Sequence, residues 1–181
     1  MNKLMSNFTL LMVLLATSFF SHSMSDKLME IEDYNKELKA AIRLYKENNY
    51  DKALPQLELF AKRGDKMSQY IVGTMYLNGQ GTPQDLAKSY AWLTVANEQK
   101  SKAWLLPLKM LEEKLPADYL KTLNVEGEKY VTLYGAKSQR LKCKNERELG
   151  SKQPIHRCKK IEVKNGHYFV DEHQTYNAMI D

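Results

Sequence analysis

The chain has 181 residues, 27 lysines and arginines against 22 aspartates and glutamates, a net charge of +5 and two cysteines. That length holds one domain with a modest core. Two cysteines are too few for a disulfide-dense scaffold, and without histidines beside them they cannot make a structural zinc site.

The first 23 residues read as a secretory signal peptide. Met1, Asn2 and Lys3 make a short basic start, an apolar run is centred on Leu10 to Ala16, and Ser21 and Ser23 supply small residues before a cleavage point at Met24. The run is shorter than the roughly 20 residues of a spanning helix. No cysteine follows it to carry a lipid, and no later segment is apolar enough to span. The expectation is export, to a periplasm first and to the medium second. In such a compartment the positive charge reads first as a surface that keeps the protein soluble; as a partner signal it points to acidic proteins or an anionic envelope surface, and nucleic acid is not an expected partner.

From Leu38 the apolar residues take helical spacing: Leu38, Ala41, Ile42 and Tyr45 share a face, and Asn48 and Asn49 break it. Asp51 is placed to cap a second helix carrying Ala53, Leu54, Leu57, Phe60 and Ala61. Pro55 falls in its first turn and Gly64 at its stop. Met67, Tyr70, Ile71 and Met75 then form a third apolar face, with Gly73 admitting a neighbouring helix. Gly79 and Gly81, with Pro83, make the turn into a helix bearing Leu86, Tyr90, Leu93 and Ala96, with Ala87 and Trp92 alongside.

The order Gly73, Met75, Tyr76, Gly79, Gly81, Asp85, Lys88, Trp92, Ala96 resembles the Sel-one-like repeat, a relative of the tetratricopeptide repeat, most clearly over 67–103. Ser89 and Asn97 depart from the family's usual alanines, and Lys100 from its frequent glycine. The resemblance makes Gly73, Tyr76, Gly79, Gly81, Asp85, Trp92 and Ala96 repeat-structural residues. It implies a short right-handed α-solenoid of antiparallel hairpins that serves protein contacts, and it implies no chemistry.

A third hairpin follows. Its first helix runs from Ala103, Trp104 and Leu105 through Leu108 and Leu111, with Pro107 near its start, and Pro116 breaks it. Leu120, Leu123, Gly127, Tyr130, Val131 and Tyr134 trace the next face, and Gly135 ends it. Leu123 and Tyr130 are expected in the capping core. The helical domain therefore spans 27–135.

Residues 136–173 form a small basic β module, and 174–181 a disordered tail. Cys143 and Cys158 bracket a looped hairpin and read as a disulfide worth about 3 kcal/mol in the chain-entropy model. The stretch between them, with Gly150 and Ser151, resembles a cysteine-bracketed motif of small exported bacterial proteins. Asn165 and Gly166 signal a tight turn that would set Val163 opposite Tyr168 and Ile161 opposite Val170.

His156, His167 and His173, with Asp171 and Glu172, lack the spacing of a metal site, so no metal and no cofactor are expected. Glu112, Glu113, Asp118, Glu126 and Glu128 sit among Lys109, Lys114 and Lys129 as a solvated helix face. No Gly-x-Ser-x-Gly, no Cys/His dyad and no phosphate loop is present, and no catalytic residue is assigned. Tyr70, Tyr90 and Trp92 read as packing residues. Tyr76 and Trp104, nearer helix ends and partly exposed, are the anchors expected in a binding groove.

The leading reading is a non-enzymatic adaptor or scaffold that binds another envelope or periplasmic protein. The alternative is a binder of anionic envelope glycan or lipid through the basic module. A hydrolase related to β-lactam-binding repeat proteins comes third, since those relatives carry a cysteine pair in each repeat and this array carries none.

Overall fold

A computed structural model describes residues 27–147, 153–163 and 165–170. The signal segment, Gly150, Ser151, Lys164, Asp171, Glu172, His173 and the tail lie outside them. Six helices follow a short strand: β1 (Leu28–Glu30), α1 (Ile31–Lys46), α2 (Tyr50–Lys62), α3 (Lys66–Asn78), α4 (Leu86–Ala96), α5 (Lys102–Lys114) and α6 (Ala117–Tyr134). A 3-10 turn at Asn97–Gln99 separates α4 from α5. Three further strands close the described chain: β2 (Leu141–Arg147), β3 (Pro154–Lys160) and β4 (His167–Phe169).

The helices form a short solenoid of hairpins, with α1 on α2, α2 on α3, and α3 on α4. Both α5 and α6 then pack on α4, and α6 reaches across to α2. The stops obey local chemistry. After α2, Gly64 takes φ +88°. Its N–H bonds Ala61 O at 3.0 Å and the N–H of Asp65 bonds Phe60 O at 3.0 Å, a Schellman arrangement that satisfies the last carbonyls. Asp65 caps α3, its Oδ1 accepting from the Ser68 N–H at 2.7 Å.

Two expectations about α2 need correction. The helix begins at Tyr50 with Asn49 as its N-cap, so Asp51 is its second residue and supports the first turn by charge. Pro55 consequently lies inside the helix. There it withholds the N–H that Asp51 O would have received, a cost the surrounding core tolerates because Leu54 and Leu57 are buried on either side.

Gly73 lets α4 approach closely: a Cβ there would stand 2.8 Å from Leu93 Cγ. Gly127 does the same where α6 crosses Thr94, at 3.2 Å. Because α4 is enclosed on several sides, Tyr90, Ala91, Trp92, Leu93, Val95 and Ala96 are all buried. Trp92 is therefore a central core residue, at 2 % exposure, in keeping with its reading as a packing residue. Met67 is the converse: expected inward, it is 44 % exposed, because Lys66, Ser68 and Gln69 occupy the inner side of that turn.

The chain after 135 is tied into the helical core. Cys143 lies directly opposite Cys158 in the antiparallel β2–β3 ladder, and the two are joined by a disulfide. The expected pairing around Asn165 and Gly166 is replaced by another. Val163 bridges His167 in place of Tyr168, and β4 takes β1 as its partner, with Met29 opposite Tyr168. The apolar side of β4 explains the choice: Tyr168 packs edge-on against Tyr34 at 5.2 Å and Val170 is fully buried among the residues of α1 and α2. Burial of those groups outweighs what an isolated hairpin would retain.

A buried polar junction holds the turn at 97–99. Lys66 Nζ meets Glu98 Oε2 at 2.6 Å and also donates to Gln69 Oε1 and Val95 O. Glu98 Oε2 in turn accepts from the Ala136 N–H at 2.8 Å. Gln69 Nε2 donates to Ala61 O and Tyr134 O, both at 2.9 Å. From the same turn, Gln99 Oε1 accepts from the Cys158 N–H at 3.0 Å, which docks the disulfide hairpin.

Gly81 and Gly166 share φ +72°, but a Cβ at Gly81 would stand 2.5 Å from Tyr50 O, whereas Gly166 has nothing within 4 Å. In urea unfolding, Gly166→Ala should cost about 1 kcal/mol and Gly81→Ala about 3 kcal/mol, the excess coming from the backbone clash. Equal losses would show that the α1–α2 connection yields to Gly81 and is not held by it.

Candidate functional site

A surface shaped to receive a partner lies between α4 and α6. Asp85 sets its upper edge: as N-cap of α4, its Oδ1 accepts from the Lys88 N–H at 2.9 Å. Lys88 then projects one turn into the helix, where its ammonium is 3.7 Å from Asp85 Oδ2 and 4.9 Å from the centre of the Tyr76 ring. Tyr90 ties the two helices together, its hydroxyl donating to Asn124 Oδ1 at 2.7 Å. Between them opens a groove of about 700 Å³, with Lys88, Tyr119, Leu123, Val125, Glu126 and Tyr130 on its walls. Leu123 is its buried floor, while Val125 at 69 % and Tyr119 at 41 % exposure stand open to solvent. Two exposed apolar side chains beside a lysine and a glutamate favour recognition of another surface.

An aromatic wall supports the groove. Tyr130 meets Trp92 edge-on at 4.9 Å, and Tyr134 stacks on Trp92 at 5.1 Å. Tyr76 donates its hydroxyl to Glu58 Oε1 at 2.5 Å. Burial, then the charge of Glu126, push the Tyr130 phenol up to about 12. Tyr76 is also held above the usual phenol range, by burial first and then by its bond to Glu58. These phenols stay protonated across the physiological range and act as donors and packing surface.

The two expected anchors are not brought together. Tyr76 is buried, at 5 % exposure, because α3 continues past it to Asn78 and Lys88 covers its ring. The expectation of partial exposure is thereby corrected: Tyr76 lies behind the groove and cannot touch a partner directly. Trp104 is half-buried on a different part of the molecule, stacked on Tyr70 at 5.0 Å near the first turn of α5. Tyr119 and Val125 were missed. The available signal was their phase, since both fall off the stripe of Leu120, Leu123, Gly127 and Tyr130.

The remaining repeat residues have local duties. Gly79 ends α3 at φ +66°, and its N–H bonds Met75 O. Trp92 and Ala96 are core, and Asp85 is the cap described above. Tyr130 joins the central cluster through Trp92, more deeply integrated than a cap, while Leu123 belongs with Tyr90, Leu93, Leu108 and Leu111. His156 Nδ1 lies 3.3 Å from Gln99 O, and His167 Nδ1 2.7 Å from Asn165 O. The first is on the disulfide hairpin and the second on the strand that pairs with β1. Lys129 with Glu126 and Lys121 with Asp118 form exposed pairs along α6, and such pairs add little stability.

No family model matches the chain. A sel1-like repeat-containing protein of Acanthamoeba polyphaga mimivirus is 38 % identical over 50 residues, which is 28 % of this chain and 9 % of that protein. The chain thus spans under a tenth of that relative's length. Among solved structures, a protective antigen of uropathogenic Escherichia coli strains displaying an SLR fold aligns with 57 % of this chain and 23 % of its own, at 22 % identity and a TM-score of 0.45. The match to the mimivirus protein supports the Sel-one-like resemblance over part of the chain.

Tyr130 offers a pH test. Its phenol ionises at the usual 10.0 when unfolded and at about 12 when folded, so its contribution to stability is complete below pH 10 and is lost as pH rises through 12. A tyrosinate absorbance titration should show a late step coinciding with alkaline unfolding, and Tyr130→Phe should lower that step's amplitude by one phenol's share, the raised phenols of Tyr34, Tyr76, Tyr90 and Tyr134 keeping the remainder. Ionisation of every phenol near pH 10 would contradict the buried wall.

Proposed function

We propose that this chain, Sel-one-like in its central hairpin, is an exported adaptor of the bacterial cell envelope that holds a partner protein in the α4–α6 groove. The observation that carries the reading is the pairing of exposed Val125 and Tyr119 over a rigid, aromatic-backed floor. Apolar anchors backed by packed aromatics are where binding energy concentrates in protein interfaces. Sel-one-like similarity supports protein–protein interaction as the general mode of action. The partner chemistry that fits is a protein segment offering an apolar side chain to Val125 and charges of both signs to Lys88 and Glu126.

Export is part of the proposal. It rests on the basic start, the apolar run, and Ser21 and Ser23 before Met24. A disulfide between Cys143 and Cys158 suits an oxidising compartment. No helix among the described residues is long and apolar enough to cross a membrane. The adaptor is non-enzymatic in this reading, its groove presenting packing surfaces and protonated phenols where a hydrolase would present an activated nucleophile.

A photo-crosslinking residue at Val125, with Met67 as an exposed control off the groove, tests the docking surface in cells. Val125 should give one discrete protein adduct and Met67 none. Val125→Glu should weaken capture of the same partner about tenfold or more without lowering the melting temperature. Adducts from Met67 alone, or capture indifferent to Val125→Glu, would reject the groove. The mass of the exported protein should correspond to a start at Met24, and retention of residues 1–23 would remove the export step.

A further inference from the structure

A second concavity lies on another part of the molecule, between the first turn of α5 and strand β3. It measures about 580 Å³ and is lined by Lys100, Lys102, Trp104, His156, Arg157 and Lys159, with Lys66 and Asp65 deeper in its wall. The adaptor reading makes no use of it. Its charge is unevenly compensated. Lys66 is neutralised by Glu98 at 2.6 Å and Lys159 by Glu146 at 2.6 Å. Asp65 spends one oxygen on the Ser68 N–H, and burial raises its pKa above the usual carboxylate value. Lys100 and Lys102 are exposed and have no ion-pair partner among the described residues. Lys100 is held in the left-handed region at φ +54°, a conformation that costs a lysine about 1 kcal/mol or more and is maintained by the surrounding turn. The positive end of the α5 dipole opens on the same side.

Trp104 gives the cavity its second character. One face of the indole is covered by Tyr70, the rings 5.0 Å apart and only 10° from parallel. The surface it contributes to the cavity is therefore held rigidly. The opposite wall is anchored too: the Cys158 N–H bonds Gln99 Oε1, and His156 Nδ1 lies 3.3 Å from Gln99 O. The disulfide locks that wall to β2. The result is a preformed recess with an aromatic platform and two uncompensated ammonium groups, of a volume within the small-ligand range.

We infer that this recess is a binding site for a carboxylate-bearing saccharide, in which a sugar ring lies on Trp104 and its acid group is received by Lys100 and Lys102. A sugar presents a face of C–H groups that suits a fixed indole and an edge of hydroxyls for the polar rim. An anionic bilayer would instead contact cations on a convex surface and would gain little from a tryptophan already stacked inside a cleft. The inference is independent of the adaptor reading, since the two sites share no lining residue.

Titration calorimetry on the disulfide-bonded chain, with trigalacturonate as probe, tests it. Trigalacturonate should bind saturably and at least about tenfold more tightly than neutral maltotriose, and a rise in salt should weaken it. The exposed pair Lys100→Gln/Lys102→Gln should lose about tenfold. Trp104→Ala should lose about fivefold, with partial recovery in Trp104→Phe, which keeps a ring on Tyr70. Inorganic sulfate binding as tightly as trigalacturonate would overturn the site in favour of simple anion adsorption. So would capture by phosphatidylcholine–phosphatidylglycerol vesicles that is indifferent to Trp104→Ala, and so would equal affinity for maltotriose.

Discussion

Lys66 carries its ammonium into the interior and Glu98 meets it there, at 2.6 Å, with the lysine side chain 3 % exposed and the glutamate 28 %. Burial lowers the proton affinity of Lys66 and the Glu98 charge and hydrogen bond oppose that shift, so the pair holds a charge the core would otherwise reject. One oxygen of Glu98 serves both Lys66 and the Ala136 N–H, so the first turn of α3 and the end of α6 are fixed to one atom. Gln69 adds the end of α2 through Ala61 O. The turn at 97–99 cannot move without unpairing these groups.

Both candidate binding surfaces follow from that constraint. With the end of α6 held, Gly127 can bring the helix onto Thr94, and the α4–α6 groove acquires a floor at Leu123 and a backing at Trp92. With Gln99 held, the disulfide hairpin docks beside α5 and forms the recess under Trp104. The two ends of the described chain meet on the far side, where β1 pairs with β4 and Val170 completes the core around Tyr34 and Phe60. A short array must cap its ends, and here the strands cover α1 and α2 where another repeat would otherwise stack.

The six helices were legible because their stripes recur at helical spacing and their stops carry Gly64, Gly79 and Gly135. The central hairpin also showed its duties, with Gly73 at a close approach and Asp85 at a cap. The disulfide followed from an isolated cysteine pair in a chain read as exported. The β1–β4 pairing was illegible, because Leu28–Glu30 is three residues long and its partner lies near the other end of the chain. Local turn chemistry at Asn165 and Gly166 predicted a neighbour, and long-range burial selected a different one. The Lys66–Glu98 pair was hidden for a related reason: the residues are 32 apart, and a lysine beside a helix cap reads as solvated. Tyr76 was misjudged because the position of a residue in a helix does not reveal that a lysine from the next helix will cover it.

The junction is the claim on which the rest stands, and a double-mutant cycle over Lys66→Met and Glu98→Gln tests it most directly. Each single change, followed by urea unfolding, should cost about 3 kcal/mol, Lys66→Met because it strands the Glu98 carboxylate and Glu98→Gln because it leaves the buried ammonium without a countercharge. The double variant should cost well under the sum of the two, the signature of coupling between contacting groups. Single losses that are small, or that simply add, would contradict the account and leave the turn at 97–99 held by packing alone.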